Sequence, residues 1–390
     1  MTQPQQHVCS KRSLLRAAGA AAVALPMLNI GAYRVFADSG TRYSSRTIDL
    51  VKSCQVFDML STPFPFGPEM LAAFSDHPKR QDGFAISDAY LQTVLASGID
   101  VLHPAMGLAA DEVAPYIARI NALVAEHPQQ LRRVDAIADL QGLKKGERVG
   151  FIVGVQNSDH FRELDDVDLY YHLGQRVSQL TYNSRNLIGT GATDRSDGGL
   201  SDFGVQIVER MNALGMAVDV SHCGDRTTLD AFEVSSRPVL ITHSNVRSLA
   251  GGHVRCKPDA AIEAMGRAGS VMGITGVRNF VRDREPTNIE HMVDHIDYVA
   301  KLVGIEHVGI GSDMDMDGYD DIPEPAYSKL KAAYKASYAF REKLDVDDFD
   351  HPRRTFDLVE ALLRRGYTDQ HIELVLGGNF RRVLGDIWQG

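Results

Sequence analysis

The runs MAVDVSH (216–222) and PVLITHS (238–244) decide the fold. Each has the length and β-branched content of a strand, each closes on a histidine, and about one crossover helix separates them. Strands joined in that way run parallel and finish at one edge of a sheet, so His222 and His243 are expected side by side. Neighbouring imidazoles at a strand edge build a metal site or a proton-transfer site, although two ordinary polar strand ends would leave the same local signature.

Similar runs lie on both sides. VFDML (56–60), IDVLHPAM (99–106), VGFIVGVQN (149–157) and QLTYN (179–183) precede them; GSVMGITG (269–276) and HVGIGSD (307–313) follow. Helical patterns fill most intervals, among them 111–126, 203–214, 259–267 and 289–303. Eight apolar runs alternating with helices predict an α/β protein whose parallel sheet is buried on both faces. A single domain over residues 38–390 closes such a sheet most simply as a (β/α)8 TIM-like barrel. An open doubly wound sheet is the alternative, but no glycine-rich phosphate turn follows the first run. Catalytic groups of a barrel stand at the C-terminal strand ends, which here are Asp58, His103, Gln156, Tyr182, His222, His243, Thr275 and Asp313. Thr275 and His103 are the first candidates for polar ends without a role.

Residues 1–37 differ in kind. They carry Lys11, Arg12, Arg16 and Arg34 without an acid, then an alanine-rich apolar stretch over 17–30, then Val35-Phe36-Ala37 with small residues at the −3 and −1 positions of a cleavage site. These are the three regions of an export signal, and the apolar stretch is short for a membrane span. Ser10-Lys11-Arg12-Ser13-Leu14-Leu15-Arg16 has the form of a twin-arginine signal with lysine in the first arginine position, and Sec export is the alternative. The expectation is a periplasmic or secreted protein without an integral membrane span once the signal is removed. The net charge of −10 becomes still more negative on cleavage, which argues against nucleic acid or an anionic membrane as partner. Cys54, Cys223 and Cys256 remain after cleavage and allow at most one disulfide. Cys223 is read as a buried thiol before a soft metal ligand.

From about residue 150 to 315 the chain resembles the membrane (renal) dipeptidase family of zinc metallopeptidases, on GMAVDVSH, RPVLITHSNVRSL, GHVRCKPD and HVGIGSD. The resemblance implies a metal-dependent hydrolase barrel, a small peptidic substrate, and an open question of a homodimer. It matches His222 and His243 to the two histidines of the second metal, Arg255 to the arginine that pairs with the substrate carboxylate, and Asp313 to the acid assisting proton transfer. Departures accompany it. Asp58-Met59-Leu60-Ser61-Thr62 places leucine and threonine where the first metal's ligands stand, Gln156 replaces the bridging glutamate, and Tyr182 replaces a histidine. A neutral amide cannot offset the repulsion of two dications, so one zinc or other divalent metal at His222 and His243 is expected, and two are not.

Asp313 then serves as a third ligand or as the general base, and Tyr182 as a hydrogen-bond donor to an oxyanion or as an aromatic wall. Asp313-Met314-Asp315-Met316-Asp317-Gly318 with Glu324 also fits the calcium-loop expression, but a strand-like run precedes it and Pro323 interrupts it. Three readings follow: a periplasmic dipeptidase-like metallohydrolase; a non-peptidase tailoring enzyme of the kind that matures peptide siderophores such as pyoverdine, which the lost first-metal ligands resemble; or a catalytically inactive binding barrel. Residues 319–352 are charged and weakly patterned, and read as a lid over the barrel mouth or as an interface arm.

Overall fold

The segment from Ser201 to His222 is the repeating unit of the structure in miniature. The Ser201 hydroxyl accepts the backbone N–H of Gly204 and starts a helix over Asp202–Leu214, and Gly215 ends it with a φ of 77°. That is a conformation an L side chain resists. Ala217–Asp219 then runs as a fully buried strand toward His222. The helices over Asp259–Arg267 and Ile289–Val303 have the predicted bounds, and the pattern over 111–126 becomes a helix over Val113–Glu126 behind a short 3-10 turn.

The computed structural model describes residues 31–34, 42–65, 86–143 and 145–388. Two compact units divide the chain at Ile48 and Asp49. In the first, β1 (Ala32–Arg34) pairs antiparallel with β2 (Arg42–Ser44). The rest of the segment read as an export signal lies outside the described residues. Cleavage after Ala37 would separate these two strands.

The second unit holds the barrel. Its strands are β3 (Phe57–Asp58), β4 (Val101–Leu102), β5 (Leu131–Arg133), β6 (Val149–Phe151), β7 (Gly154–Val155), β8 (Val177–Gln179), β9 (Ala217–Asp219), β10 (Ile241–Ser244), β11 (Met272–Ile274) and β12 (Val308–Ile310). All their pairings are parallel. β6 and β7 are two halves of one predicted run. The first half pairs with β4 and β5, and the second with β8. An Asp219–Leu240 bridge joins β9 to β10, and the Met59 N–H donating to the Ile310 carbonyl (2.9 Å) joins β12 back to β3, so the ring closes. Seven of the eight predicted runs contain their stave, and the fourth, 179–183, meets its strand, Val177–Gln179, only at Gln179. β5 is an addition that its Leu-Arg-Arg sequence does not announce.

Phe57, Val101, Val177, Ala217 and Leu240, from the entrances of the strands, share one buried cluster with Phe380, Val383, Leu384 and Ile387 of the last helix, Asn379–Trp388. That helix packs on the end of the barrel opposite the strand termini, leaving the mouth to chemistry. Gly154 has no side chain because the ring of His103 occupies the place its Cβ would take. Among the described residues no helix is long and apolar enough to cross a membrane.

Candidate metal centre and its cavity

His222 and His243 are fully buried, and their Nε2 atoms face each other at 3.0 Å. Their other nitrogens decide what those Nε2 atoms carry. Asp219, at the end of β9, accepts Ser221 Oγ on one carboxylate oxygen (2.6 Å) and Thr242 Oγ1 on the other (2.7 Å). The single Thr242 hydroxyl proton is thereby committed, so its oxygen accepts from His243 Nδ1–H at 2.8 Å. Asn183 Oδ1 accepts His222 Nδ1–H at 2.7 Å, an amide orientation assigned from this contact. Both Nε2 atoms are left as lone pairs aimed at one another. Burial first, and then the positive charge of Arg255, holds both imidazoles well below their usual pKa, so a shared proton is disfavoured.

Two lone pairs converging with both Nδ1–H groups fixed by other residues is the arrangement of metal-binding histidines. Two nitrogens on one tetrahedral zinc stand roughly 3.3 Å apart, close to the spacing here. The residues therefore fit one ion. They do not fit a second: Leu60 carries no donor atom, and the Thr62 hydroxyl is bound to the Phe64 carbonyl at 2.7 Å. Gln156 donates its amide to the Ala105 carbonyl at 2.9 Å.

Asp313 does not complete a ligand set. No three histidine, cysteine or acidic side chains gather closely enough to hold a metal among the described residues. The reason is local: β11 stands between the strands of the histidine pair and Asp313, and the Asp313 N–H is tied to the Leu60 carbonyl on the β3 side (2.8 Å). Asp313 holds a φ of 63°, in the left-handed region that non-glycine residues seldom occupy, and lines the cavity. Burial pushes its carboxyl up to about 7, against the lowering pull of Arg255.

The cavity at the mouth measures about 510 Å³. Gln156, Tyr182, His222 and Asp313 line it together. Gln156 Oε1 is buried without a hydrogen-bond partner. The Tyr182 ring stacks on His222, with centroids 4.2 Å apart and planes 24° from parallel, and its hydroxyl meets that of Tyr334 at 3.0 Å. Tyr334 belongs to the segment after Asp313. Tyr319, Leu330, Tyr334, Tyr338, Phe340 and Leu344 from that segment all line the cavity, so the weakly patterned stretch is a lid over the mouth.

Arg255 corrects the expectation for a substrate clamp. It is 1% exposed, and its guanidinium donates to the carbonyls of Ser221 and of His243 (3.0 Å) behind the imidazoles. It is absent from the cavity lining.

The remaining strand ends serve the scaffold. Asp58 is ion-paired to buried Arg354 at 3.1 Å, Thr275 Oγ1 donates to the Ser312 carbonyl, and His103 Nδ1 binds the Met59 carbonyl. Asp315 accepts the N–H groups of Asp317 and Gly318, and Glu324 accepts Ser328, which is not a calcium loop. The Cys223 thiol accepts from Thr181 at 3.2 Å, and Cys54, Cys223 and Cys256 are free and buried. Asn183, Thr242 and Asp219 are the residues that sequence reasoning missed. The only cue was their adjacency to the strand-end residues.

A histidine pair with both Nε2 lone pairs free at the mouth of a parallel barrel makes this the candidate metal centre of the fold. The family description that matches is membrane dipeptidase (peptidase family M19), over residues 108–331, and the chain belongs to that family. The match runs beyond 150–315 on both sides. The chain is similar to dipeptidase verJ of Clonostachys rogersoniana, 29% identical over 276 residues, covering 69% of this chain and 63% of that protein. It is also similar to an uncharacterised dipeptidase of Schizosaccharomyces pombe, 33% identical over 201 residues, covering 50% of this chain and 48% of that one. The matches thus span less than two thirds of each relative. A crystal structure of an amidohydrolase from Pseudomonas aeruginosa shares the fold, with a TM-score of 0.74 and 24% identity, covering 88% of this chain and 99% of that one.

Proposed function

We propose that the chain is a dipeptidase-like metallohydrolase that cleaves a small peptide or amide, with one divalent ion, zinc by family, held by His222 and His243. The observation that carries this reading is the pair of Nε2 lone pairs at 3.0 Å with both Nδ1–H groups committed elsewhere. Bound there, zinc would supply a Lewis acid for the scissile carbonyl and a water of pKa about 7. Asp313, with its carboxyl near 7, is suited to take a proton from the nucleophile and return it to the leaving amine. Burial drives the Tyr182 hydroxyl far above its usual pKa, so it donates a hydrogen bond and does not act as a base.

Elemental analysis of protein never exposed to chelator, together with a panel of dipeptides and amides, tests the reading. About one equivalent of metal is expected per chain, lost in the His222→Ala, His243→Ala variant along with hydrolysis. Folded protein without metal, or undiminished turnover in the variant, overturns it.

One observation favours a second reading, a tailoring enzyme without peptidase activity: Gln156, Leu60 and Thr62 leave no first metal position, and Arg255 is withdrawn from the cavity. Under either reading the basic, apolar and small-residue order of 1–37 supports export to the periplasm.

A further inference from the structure

Two lid tyrosines reach past the cavity to the metal centre. The Tyr334 hydroxyl meets that of Tyr182 at 3.0 Å, and the Tyr182 ring lies on the His222 imidazole with centroids 4.2 Å apart. A ring stacked in this way resists rotation of the imidazole out of its plane. Asn183 forms a second route. Its Oδ1 accepts His222 Nδ1–H at 2.7 Å, which leaves its amide nitrogen to donate, and the same side chain hydrogen-bonds the Tyr338 phenol. Burial holds both lid phenols above their usual pKa, so each is a neutral hydrogen-bonding group. The two routes meet His222 on its face and at Nδ1, and the edge they leave is the one that carries Nε2.

The lid is anchored at the same place. The Tyr338 carbonyl accepts His253 Nε2–H at 2.9 Å and the Asn279 amide at 2.8 Å. His253 Nδ1 accepts the Arg255 N–H at 3.1 Å, which leaves the ring proton on Nε2, and the Arg255 guanidinium holds the His243 carbonyl at 3.0 Å. The Tyr338 ring packs against Tyr334 and Phe280, with centroids 4.7 and 5.4 Å away. A cover that only excluded water would need apolar surface alone. Here two phenols are each bound to a residue that holds His222.

We propose that the lid is a working part of the metal centre, with Tyr334 and Tyr338 as positioning residues that hold His222, through Tyr182 and Asn183, in the orientation that turns its Nε2 to the ion. The inference rests on the functional reading that His222 and His243 bind one divalent ion. Linkage makes it reciprocal: whatever factor the seated lid adds to metal affinity, the ion adds to the seating of the lid.

Zinc affinity, by competition with a chromophoric chelator, and hydrogen–deuterium exchange of the lid amides with and without zinc test it. The Tyr334→Phe, Tyr338→Phe variant keeps both rings and their packing and loses only the hydroxyl contacts. It is expected to bind zinc about tenfold more weakly, the lower end of what losing the support of a ligand costs, with an unchanged circular dichroism spectrum. Tyr338→Phe is expected to have little further effect once Asn183→Ala is present, because both act on His222 through one contact. In the native protein zinc should slow amide exchange over residues 319–352, and it should leave that exchange unchanged in the His222→Ala, His243→Ala variant.

Native protein that takes up no zinc overturns the metal reading, and this coupling with it. Zinc bound with the same affinity by the native protein and the Tyr334→Phe, Tyr338→Phe variant, or lid exchange that ignores zinc, overturns the coupling alone.

Discussion

Asn183 and Thr242 do for the imidazoles what the histidines cannot do for themselves: they fix which nitrogen carries the proton. Asn183 reaches His222 from a φ of 60°, a backbone state that asparagine tolerates better than most residues because its side chain is short and polar. Thr242 is held in turn by Asp219, so the tautomer of His243 is set by a carboxylate one residue further away. Losing such a support typically lowers metal affinity 10- to 100-fold. Asn183→Ala is therefore expected to weaken metal binding by roughly that factor with the fold intact, as read by competition with a chromophoric chelator. An unchanged affinity would mean that the tautomer is set in another way. The histidines were legible in the sequence because they end apolar runs. Their partners were not, because nothing in a strand pattern says which side chain will face a ring nitrogen across the mouth.

Arg354 sits at the start of the helix over Arg354–Arg364 and binds Asp58 at the end of β3. The same guanidinium reaches Ser61 (3.1 Å) and Ser312 (3.3 Å), while Asp58 accepts the Ser312 N–H at 2.7 Å. The first and last staves of the barrel are joined through this buried pair. Removing one partner leaves an uncompensated buried charge, so Arg354→Met is expected to cost about 3–5 kcal/mol. Urea unfolding measures it, and a loss below roughly 1 kcal/mol, the scale of an exposed pair, would place Asp58 in contact with water.

The lid is the element that the sequence described least. Its charged surface and interrupted pattern left lid and interface arm equally open. Its buried face, carried by Tyr319, Tyr334, Tyr338 and Phe340, is spaced irregularly along the chain and comes together only when the segment is laid across the mouth.

Lys257 bears on the stability of the whole barrel. It is fully buried, and its ammonium donates to the carbonyls of Val220 (2.7 Å) and Cys223 (3.0 Å) and to Thr228 Oγ1 (3.0 Å), tying the β9 end to the following helix. Burial lowers its pKa from 10.5 to about 8. Between those values the unfolded chain binds more protons than the folded one, so this group makes stability rise as pH climbs from about 8 toward 9.5. The effect is on the order of 1–2 kcal/mol over that window. Urea midpoints at pH 8 and 9.5 are expected to show the rise in the native protein and to lose it in Lys257→Met. A rise that survives the substitution assigns it to another group.

The sequence alone determined the eight parallel staves, the helices between them, the family, and the two histidines at neighbouring strand ends. The staves, the helices and the placing of the histidines follow from local periodicity and from the connectivity that parallel pairing requires, and the family from the resemblance carried by GMAVDVSH, RPVLITHSNVRSL, GHVRCKPD and HVGIGSD. Only the tertiary structure decided that Asp313 stands apart from the histidine pair, that Arg255 turns behind it, that Asp58 is held by Arg354, and that the segment after Asp313 closes over the mouth. Those outcomes depend on which buried polar group finds which partner across the barrel. Such pairings join residues up to nearly three hundred positions apart, and the penalty for leaving a buried donor, acceptor or charge unpaired selects them only once the chain has closed.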